Sequence, residues 1–499
     1  MARERVSVVH PVTEEELGSV ELATAGDVEA AVERGRRAQR GWDAVSVAQR
    51  ARVLMRFHSL LFERRDEILD AIQNETGKTR RDAFGELLAV AATASYYAAR
   101  GERYLAEEVR DGAVPLMTGG RVQHPPVGVV GFITPWNYPF LLAIGDALPA
   151  LLAGNAVVIK PSEVTPLSAE LAVRLLAEAG LPEGLATLVH GPGAEVGPVL
   201  IARVDAVAFT GSVATGRRIA VAAAERLIPC SLELGGKNPM IVLDGADLDE
   251  AAAGLMTGAF YNCGQTCIAV ERVYVEKGSY EAFVERAARR VEALRTGWSL
   301  GWEMDVGSQI GRAHSDKVMA HVEDAVRRGA RVVAGGRRRE DLGPAFVEPT
   351  LLTDVAAEAT LQAEETFGPV VAIYPVDDAE AAVTAANDTV YGLNASVWTG
   401  SRGRSLDLAR RIEAGAVGVN STLLVYHTLD VPMGGMKRSG LGRRHGRPGI
   451  LRFTRTRSVV TGPSMGGGYE ALLSRADNPA RAGAIARLFR LRGRIPGLR

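Results

Sequence analysis

A mixed α/β fold built from two Rossmann-like domains, with a helical layer ahead of them, is what this chain predicts. Three observations carry that expectation. Short β-branched runs alternate with longer segments of helical apolar spacing, the pattern of βαβ units around a mainly parallel sheet. The alternation occurs in two separate series. A length of 499 residues exceeds what one hydrophobic core organises.

From Ala25 to about Glu107 the apolar residues recur at helical spacing, as in Val28, Ala31, Val32 and again in Val53, Leu54, Phe57, Leu61, so this stretch is expected to be helical. Ala113–His124 alternates around Gly119-Gly120 like a hairpin. Strands are then expected at Val129–Thr134, Ala156–Lys160, Ala186–His190 and Ala206–Thr210, separated by helices such as Pro166–Ala179 and Ser212–Arg226. The apolar stretch Leu141 to Ile159 is broken by Gly145, Asp146, Pro149 and Asn155; it reads as a helix, a turn and a strand, not a membrane span. A second series begins near Leu248 and includes strands at Arg272–Val275, Val370–Tyr374, Ala395–Trp398 and Ala416–Val419.

Composition narrows the class further. With 47% hydrophobic and 23% charged residues the chain is neither disordered nor fibrous. A net charge of −1 gives no bulk preference for nucleic acid. Three cysteines, Cys230, Cys263 and Cys267, make no disulfide framework and fit a reducing compartment, with the cytoplasm as default. The start, Met-Ala-Arg-Glu-Arg-Val-Ser, lacks the apolar region of a secretory signal. No metal site is expected, because Cys263 and Cys267 have no His or second Cys pair at zinc spacing. The end of the chain differs in character: Pro479–Arg499 carries six arginines and no acid, with Ile485, Leu488, Phe489 and Leu491 interleaved. A solvated tail or a strap on a neighbouring subunit is the favoured reading, and a basic amphipathic helix on an anionic membrane the other.

The chemistry is concentrated in two segments. Glu233, in Leu232-Glu-Leu-Gly-Gly-Lys237, and Cys267, in Phe260-Tyr-Asn-Cys-Gly-Gln-Thr-Cys267, stand thirty-four positions apart. A thiolate can attack a carbonyl carbon, and a carboxylate can activate the water that later releases the acyl group. Free cysteines are more often small buried hydrophobes. Here, however, Gly-Gln-Thr immediately precedes Cys267, a segment that disfavours a regular interior and exposes backbone N–H groups beside the sulfur.

These segments resemble the glutamate and cysteine signatures of the aldehyde dehydrogenase superfamily, over roughly residues 7–460, about nine-tenths of the chain. The resemblance implies an aldehyde-dehydrogenase-like fold with two Rossmann-like α/β domains and a β-hairpin oligomerisation arm. Residues 1–110 and 127–246 would form the dinucleotide-binding domain, 111–126 and 447–461 the arm, with a late strand near Arg452–Val460, and 247–446 the catalytic domain. Residues 462–499 would form the basic tail. A homodimer or homotetramer is implied.

Phe209-Thr-Gly211-Ser212-Val-Ala-Thr-Gly216 follows an expected strand and opens a helix, where glycines admit a pyrophosphate and the helix terminus favours its charge. By resemblance, Lys160 and Glu163 of Lys160-Pro-Ser162-Glu163 hold the adenosine ribose, Glu365 holds the second ribose, Phe367 braces the nicotinamide, and Thr134, Pro135, Trp136 and Leu234 belong to the cofactor surface. Glu163 would repel a 2′-phosphate, which favours NAD, while Lys160 and Ser162 could tolerate NADP. Asn137 would donate to the developing oxyanion together with the Cys267 N–H.

The implied reaction is attack by Cys267, hydride transfer, and thioester hydrolysis by water deprotonated with help from Glu233. Glu233 favours the carboxylate-forming branch over the CoA-acylating one. Arg272 reads as structural, fixing the cysteine loop by charge-assisted hydrogen bonds. Cys263 is expected to pack, with oxidative pairing to Cys267 a second reading.

For the substrate two classes stay open. The texture of Leu232–Leu243, Tyr391–Trp398 and Ser439–Gly446 is most similar to bacterial succinate-semialdehyde dehydrogenases, yet no arginine can be assigned to a distal carboxylate. Phe140, Leu141, Leu142, Ile268, Leu423–His427 and Pro432–Met436 suggest an apolar entrance and an aliphatic or aromatic aldehyde, slightly favoured. A non-oxidative thiol hydrolase, and an inactive binding or scaffold protein on the same fold, are the rival classes.

Overall fold

The computed structural model of the chain describes residues 3–112, 118–462 and 474–492. It opens with an antiparallel pair that the sequence did not suggest, β1 (Arg5–Val9) and β2 (Glu16–Glu21). Four helices follow, Ala25–Asp43, Val47–Glu63, Arg65–Thr76 and Arg80–Leu105. The first two begin at capping boxes on Thr24 and Ser46, where the hydroxyl accepts from the third helical N–H and that residue's side chain answers the cap's own N–H. The apolar positions read from the sequence, including Val28, Val32, Leu54, Phe57 and Leu61, are all buried.

The hairpin is displaced from its expected centre. β3 (Glu108–Asp111) pairs antiparallel with β4 (Gly119–Gln123), Asp111 facing Gly119 and Arg110 facing Gly120. Gly119 and Gly120 therefore lie in a strand and not in the turn, and the intervening 113–117 fall outside the described residues.

The first large sheet takes β5 (Val129–Ile133), β6 (Ala156–Lys160), β7 (Ala186–Leu188), β8 (Ala206–Thr210) and β9 (Cys230–Glu233), all parallel, in the order 9-8-5-6-7. β5 and β6 are buried at every position, as expected of strands covered on both faces. The Leu141–Ile159 stretch forms two short helices, Pro139–Ile144 and Ala147–Leu152, before β6.

The second sheet contains β10 (Asn238–Val242), β11 (Val270–Glu276), β12 (Arg331–Ala334), β13 (Thr350–Thr353), β14 (Val370–Val376), β15 (Asn394–Trp398) and β16 (Ala416–Val419), in the order 12-13-14-11-10-15-16. Only the β12–β13 pair in it is antiparallel. β10 precedes the expected boundary at 247 yet pairs in this sheet, so the chain crosses between sheets at 234–237. It crosses back later: β17 (Gly440–Leu441) pairs antiparallel with β9, Gly440 opposite Glu233. The late strand is shorter than expected. Residues Gly446–Leu451 are helical, and β18 (Arg457–Thr461) then pairs with β4, completing a three-stranded sheet 18-4-3. Pro479–Arg492 is helical; the side chains of Ile485, Leu488, Phe489 and Leu491 fall outside the described residues. No helix among the described residues is long and apolar enough to cross a membrane.

Candidate active site

In the first sheet the chain runs outward from β5 through β6 to β7, then returns to β8 on the other side of β5. Such a reversal opens a crevice at the carboxyl ends of the strands, where α/β sheets hold their ligands. Asn137 follows the end of β5, Gly211-Ser212 follow β8, and Glu233 ends β9 with Leu234 just beyond it. The second sheet faces them with the opposite ends of its strands: Cys267 lies just ahead of β11, and Glu365 and Phe367 just ahead of β14. Together they enclose a cavity of about 260 Å³.

Pro135, Trp136, Asn137, Gly211, Ser212, Glu233, Leu234, Cys267, Glu365 and Phe367 all line this cavity, whereas Thr134, Lys160, Ser162, Glu163 and Gly216 are not among its lining residues. Thr134 is buried, its N–H donating to the Lys160 carbonyl at 3.1 Å. Lys160 Nζ donates to Glu163 Oε2 at 2.9 Å, and the Glu163 side chain is 43% exposed. Ser162 Oγ accepts from the Val164 N–H at 3.3 Å. Ser212 caps the helix Val213–Glu225, accepting from the Thr215 N–H. This helix opens beside the cavity at a glycine, a setting that suits a pyrophosphate. Gly216 has a different reason to be glycine, because a Cβ there would come within 2.5 Å of the Leu234 side chain.

The opposite wall is aromatic and acidic. Phe367, at φ +59°, is fixed by its N–H donating to Glu271 Oε1 at 3.0 Å and its carbonyl accepting from His314 at 2.8 Å. Glu365 Oε1 accepts from the Gly236 N–H at 2.9 Å. Burial, reinforced by the Glu271 carboxylate, pushes Glu365 up to about 8. Aromatic walls, a carboxylate and a helix N-terminus in one crevice fit a dinucleotide.

The cysteine loop is strained and heavily braced. Asn262 and Cys263 are both in the left-handed region, at φ +52° and +54°, a conformation that costs free energy unless its surroundings impose it. The Asn262 N–H donates to Asp82 Oδ2 at 3.2 Å. Gln309 Nε2 donates to both the carbonyl and Sγ of Cys263, at 3.0 and 2.9 Å. The Cys267 carbonyl accepts from Asn238 Nδ2 at 2.8 Å. Burial pushes the Cys267 thiol up to about 12, against the pull of the Arg444 guanidinium.

Asn137 is held from behind. Its carbonyl accepts from the buried Lys78 ammonium at 2.8 Å and from Asn262 Nδ2 at 3.0 Å, and its own Nδ2 donates to the Gln265 carbonyl at 2.9 Å. One amide proton is thus engaged and a second remains for a ligand. Lys78 is also paired with Glu86 at 2.8 Å, and Glu86 Oε1 accepts from the Leu141 N–H at 2.8 Å. This fully buried pair fixes the turn that carries Asn137; no motif in the sequence announces it.

Glu233 is buried, and burial pushes it up to about 7 against the pull of Arg444 and Arg452. Arg444 also lines the cavity, a position that sequence reasoning did not single out. Its segment had only suggested family texture, and the signal needed was the β17–β9 pairing that returns this segment to the cavity.

Arg272 is structural, though it does not brace the cysteine loop. Its guanidinium, wholly buried, donates to the Lys237 carbonyl at 2.7 and 3.0 Å and to the Ala385 and Ala386 carbonyls at 3.1 and 3.0 Å. It ties the crossover between sheets to the end of the helix Ala379–Asn387. Of the expected apolar entrance, Leu141, Leu142, Ile268, Leu423, Tyr426, His427 and Met433 line the cavity. Phe140 does not; it is fully buried in the first core.

A thiol, a buried carboxylate and an amide facing a dinucleotide-type crevice are the parts of a cofactor-dependent oxidoreductase. The chain belongs to the aldehyde dehydrogenase family, whose model matches residues 1–459. A relative from Mycolicibacterium smegmatis, provisionally named a succinate-semialdehyde dehydrogenase (NADP+), is 45% identical over 461 residues, 92% of this chain and 89% of the relative. An NADP-dependent enzyme of E. coli superposes with a TM-score of 0.89 at 35% identity, over 92% of this chain and 95% of that one. The NAD+ complex of aldehyde dehydrogenase from Bacillus cereus gives a TM-score of 0.87 at 35% identity, over 92% and 93%. NAD(P)-dependent oxidation of an aldehyde is the activity of this chain.

Proposed function

We propose that the protein oxidises an uncharged aldehyde with an aliphatic or aromatic body to its carboxylic acid, with NAD preferred and NADP tolerated. The observation that carries the substrate class is the cavity wall beyond Cys267. Tyr138, Leu141, Leu142, Tyr261, Leu423, Tyr426 and Met433 line it, and Arg444, the arginine lining it among the described residues, is already paired with Asp146. Burial pushes His427 below the ordinary imidazole range. Enclosing apolar atoms favours binding by about 0.8 kcal/mol per methylene. Succinate semialdehyde is the second reading, favoured by the name of the M. smegmatis relative and requiring Arg444 to leave Asp146 for the substrate.

The residue roles follow from their chemistry. Cys267 adds to the carbonyl carbon, and Asn137 Nδ2 with the Cys267 N–H stabilises the oxygen as its charge develops. An oxidised nicotinamide held in the crevice would accept the hydride, and its positive charge would favour the thiolate. Loss of hydride from the thiohemiacetal carbon leaves a thioester on Cys267. Glu233 then takes a proton from water, whose oxygen attacks the thioester and releases the acid and the thiol. Trp136 and Phe367 would brace the nicotinamide, Glu365 one ribose, Lys160 and Glu163 the other, and Gly211, Ser212 and the helix behind them the pyrophosphate.

Residues 1–110 and 127–237 serve the cofactor and 238–446 the nucleophile. The three-stranded sheet, on which Val109 and Val460 are each 72% exposed, supports an oligomerisation arm. The free cysteines fit a reducing cytoplasm.

The test is NADH formation by the protein and by Cys267→Ala over a panel running from succinate semialdehyde through aliphatic aldehydes to benzaldehyde, with NADP in parallel. The reading predicts cysteine-dependent turnover with the highest kcat/KM on apolar aldehydes. A highest value on succinate semialdehyde would replace it with the second reading.

A further inference from the structure

β17 lays Gly440 opposite Glu233 and Leu441 opposite Leu232. The chain then turns at Gly442, φ +92°, where a Cβ would come within 2.9 Å of Ser231 Oγ. That turn brings Arg444 back over the end of β9. Its Nη2 donates to Asp146 Oδ2 at 3.1 Å and to Thr210 Oγ1 at 3.3 Å. Its Nε stands 4.0 Å from Glu233 Oε1, and both of those atoms are buried without a hydrogen-bond partner. Asp146 meets a second cation, Arg452 Nη2, at 2.6 Å, and Arg452 Nη1 donates to Ser231 Oγ at 2.8 Å. The buried charges thus alternate as Arg452, Asp146, Arg444 and Glu233.

We propose that Arg444, anchored by Asp146, is a positioning residue for the hydrolytic step: its guanidinium keeps Glu233 ionised and faced into the cavity. The proposal rests on the reading of Glu233 as the base. An isolated carboxylate in this site would be driven to its neutral form by burial, and a neutral acid cannot take a proton from water. Arg444 is the foremost group opposing that tendency, followed by Arg452; Asp146 works the other way, and Arg443 contributes attraction from the turn after β17. Across the cavity Cys267 feels the same guanidinium. His445, next in sequence, adds no charge, because burial and Arg444 push it down to about 3. At 4.0 Å the Arg444–Glu233 contact is an attraction between charges without a hydrogen bond, which leaves the Glu233 oxygen free to accept a proton. The cation stays in place throughout, since Asp146 is itself held below its ordinary range by Arg444 and Arg452 despite its burial.

The test uses the full-length enzyme with the aldehyde that gives the highest turnover. The NADH burst and the steady-state kcat are measured as functions of pH for Arg444→Gln, Arg444→Lys, Asp146→Asn and Glu233→Gln. Arg444→Gln should move the acid limb of kcat to higher pH by about one unit, as expected when an opposite charge beside a carboxylate is removed, while the burst keeps its amplitude and only slows, because Cys267 loses the same charge. Arg444→Lys, which keeps the charge, should restore the parent midpoint. Asp146→Asn, which removes the negative charge that raises Glu233 while its amide oxygen can still accept from Arg444, should move it the other way and remains informative if Arg444→Gln does not fold. Unmoved midpoints, or a loss confined to the KM of a carboxylated substrate, would overturn the positioning role. Glu233→Gln separates the two claims: turnover at the parent steady rate would remove the base itself, whereas a slow Glu233→Gln beside an Arg444→Gln of unchanged midpoint would remove only Arg444.

Discussion

The rings of Trp136 and Phe367 meet edge to face across the cavity, 5.6 Å apart at their centroids and at 87° to one another. One comes from the turn after β5, the other from the segment before β14, so the contact joins the two sheets where the nicotinamide is assigned. Phe367→Ala removes that wall without touching the core. The KM for the cofactor should rise several-fold, with a smaller change in the KM for aldehyde and an unchanged unfolding midpoint; initial-rate kinetics with each substrate varied in turn will show it.

Steady turnover should depend on pH through Glu233. The group must be ionised to accept a proton, and burial pushes it up to about 7, so kcat should be level above that pH and fall as the carboxylate is protonated below it. Replacing it by Gln should abolish this limb and lower steady kcat by about 10²- to 10⁴-fold, with the NADH burst retained.

Cys267 should be a sluggish nucleophile in the cofactor-free enzyme, because burial pushes its thiol up to about 12 and only the thiolate reacts. Iodoacetamide should label it slowly at neutral pH, faster as pH rises, and faster again with oxidised cofactor bound. Peptide mapping against time measures all three.

Cofactor choice should turn on the Lys160–Glu163 pair. The carboxylate that would receive the ribose hydroxyls is the one now holding Lys160 at 2.9 Å. Glu163→Gln frees the ammonium and removes the charge that repels a 2′-phosphate, so kcat/KM for NADP over NAD should rise by about tenfold or more.

Arg272 should matter for stability and not for chemistry. Removing its buried guanidinium strands the carbonyls of Lys237, Ala385 and Ala386, each costly to leave unpaired. Arg272→Met should destabilise the fold by about 3 kcal/mol, read from urea unfolding.

Much of this architecture was legible in the sequence because its signals are local. β6, β8 and β16 coincide with their predicted spans, since each is a short apolar run bounded by turn residues. β1 and β2 were missed, because each is short and buries a single position, Val8 and Val20, which leaves little apolar alternation to read. The hairpin was misplaced because the glycines that suggested a turn pair across a strand. In the site, the motif residues Asn137, Glu233, Cys267, Glu365 and Phe367 do share one cavity. What the sequence withheld was long-range. Arg444 reaches Glu233 only through the β17–β9 pairing, and Lys78 reaches Asn137 only through the packing of the N-terminal helices.

Intact-protein mass spectrometry of Glu233→Gln, mixed with NAD and a reactive aldehyde and quenched in acid, tests the covalent route most directly. The account predicts a mass increase equal to the acyl group on most of the protein, mapped to Cys267 and absent from Cys267→Ala. NADH formation with no adduct, or with the acyl group on another residue, would contradict it.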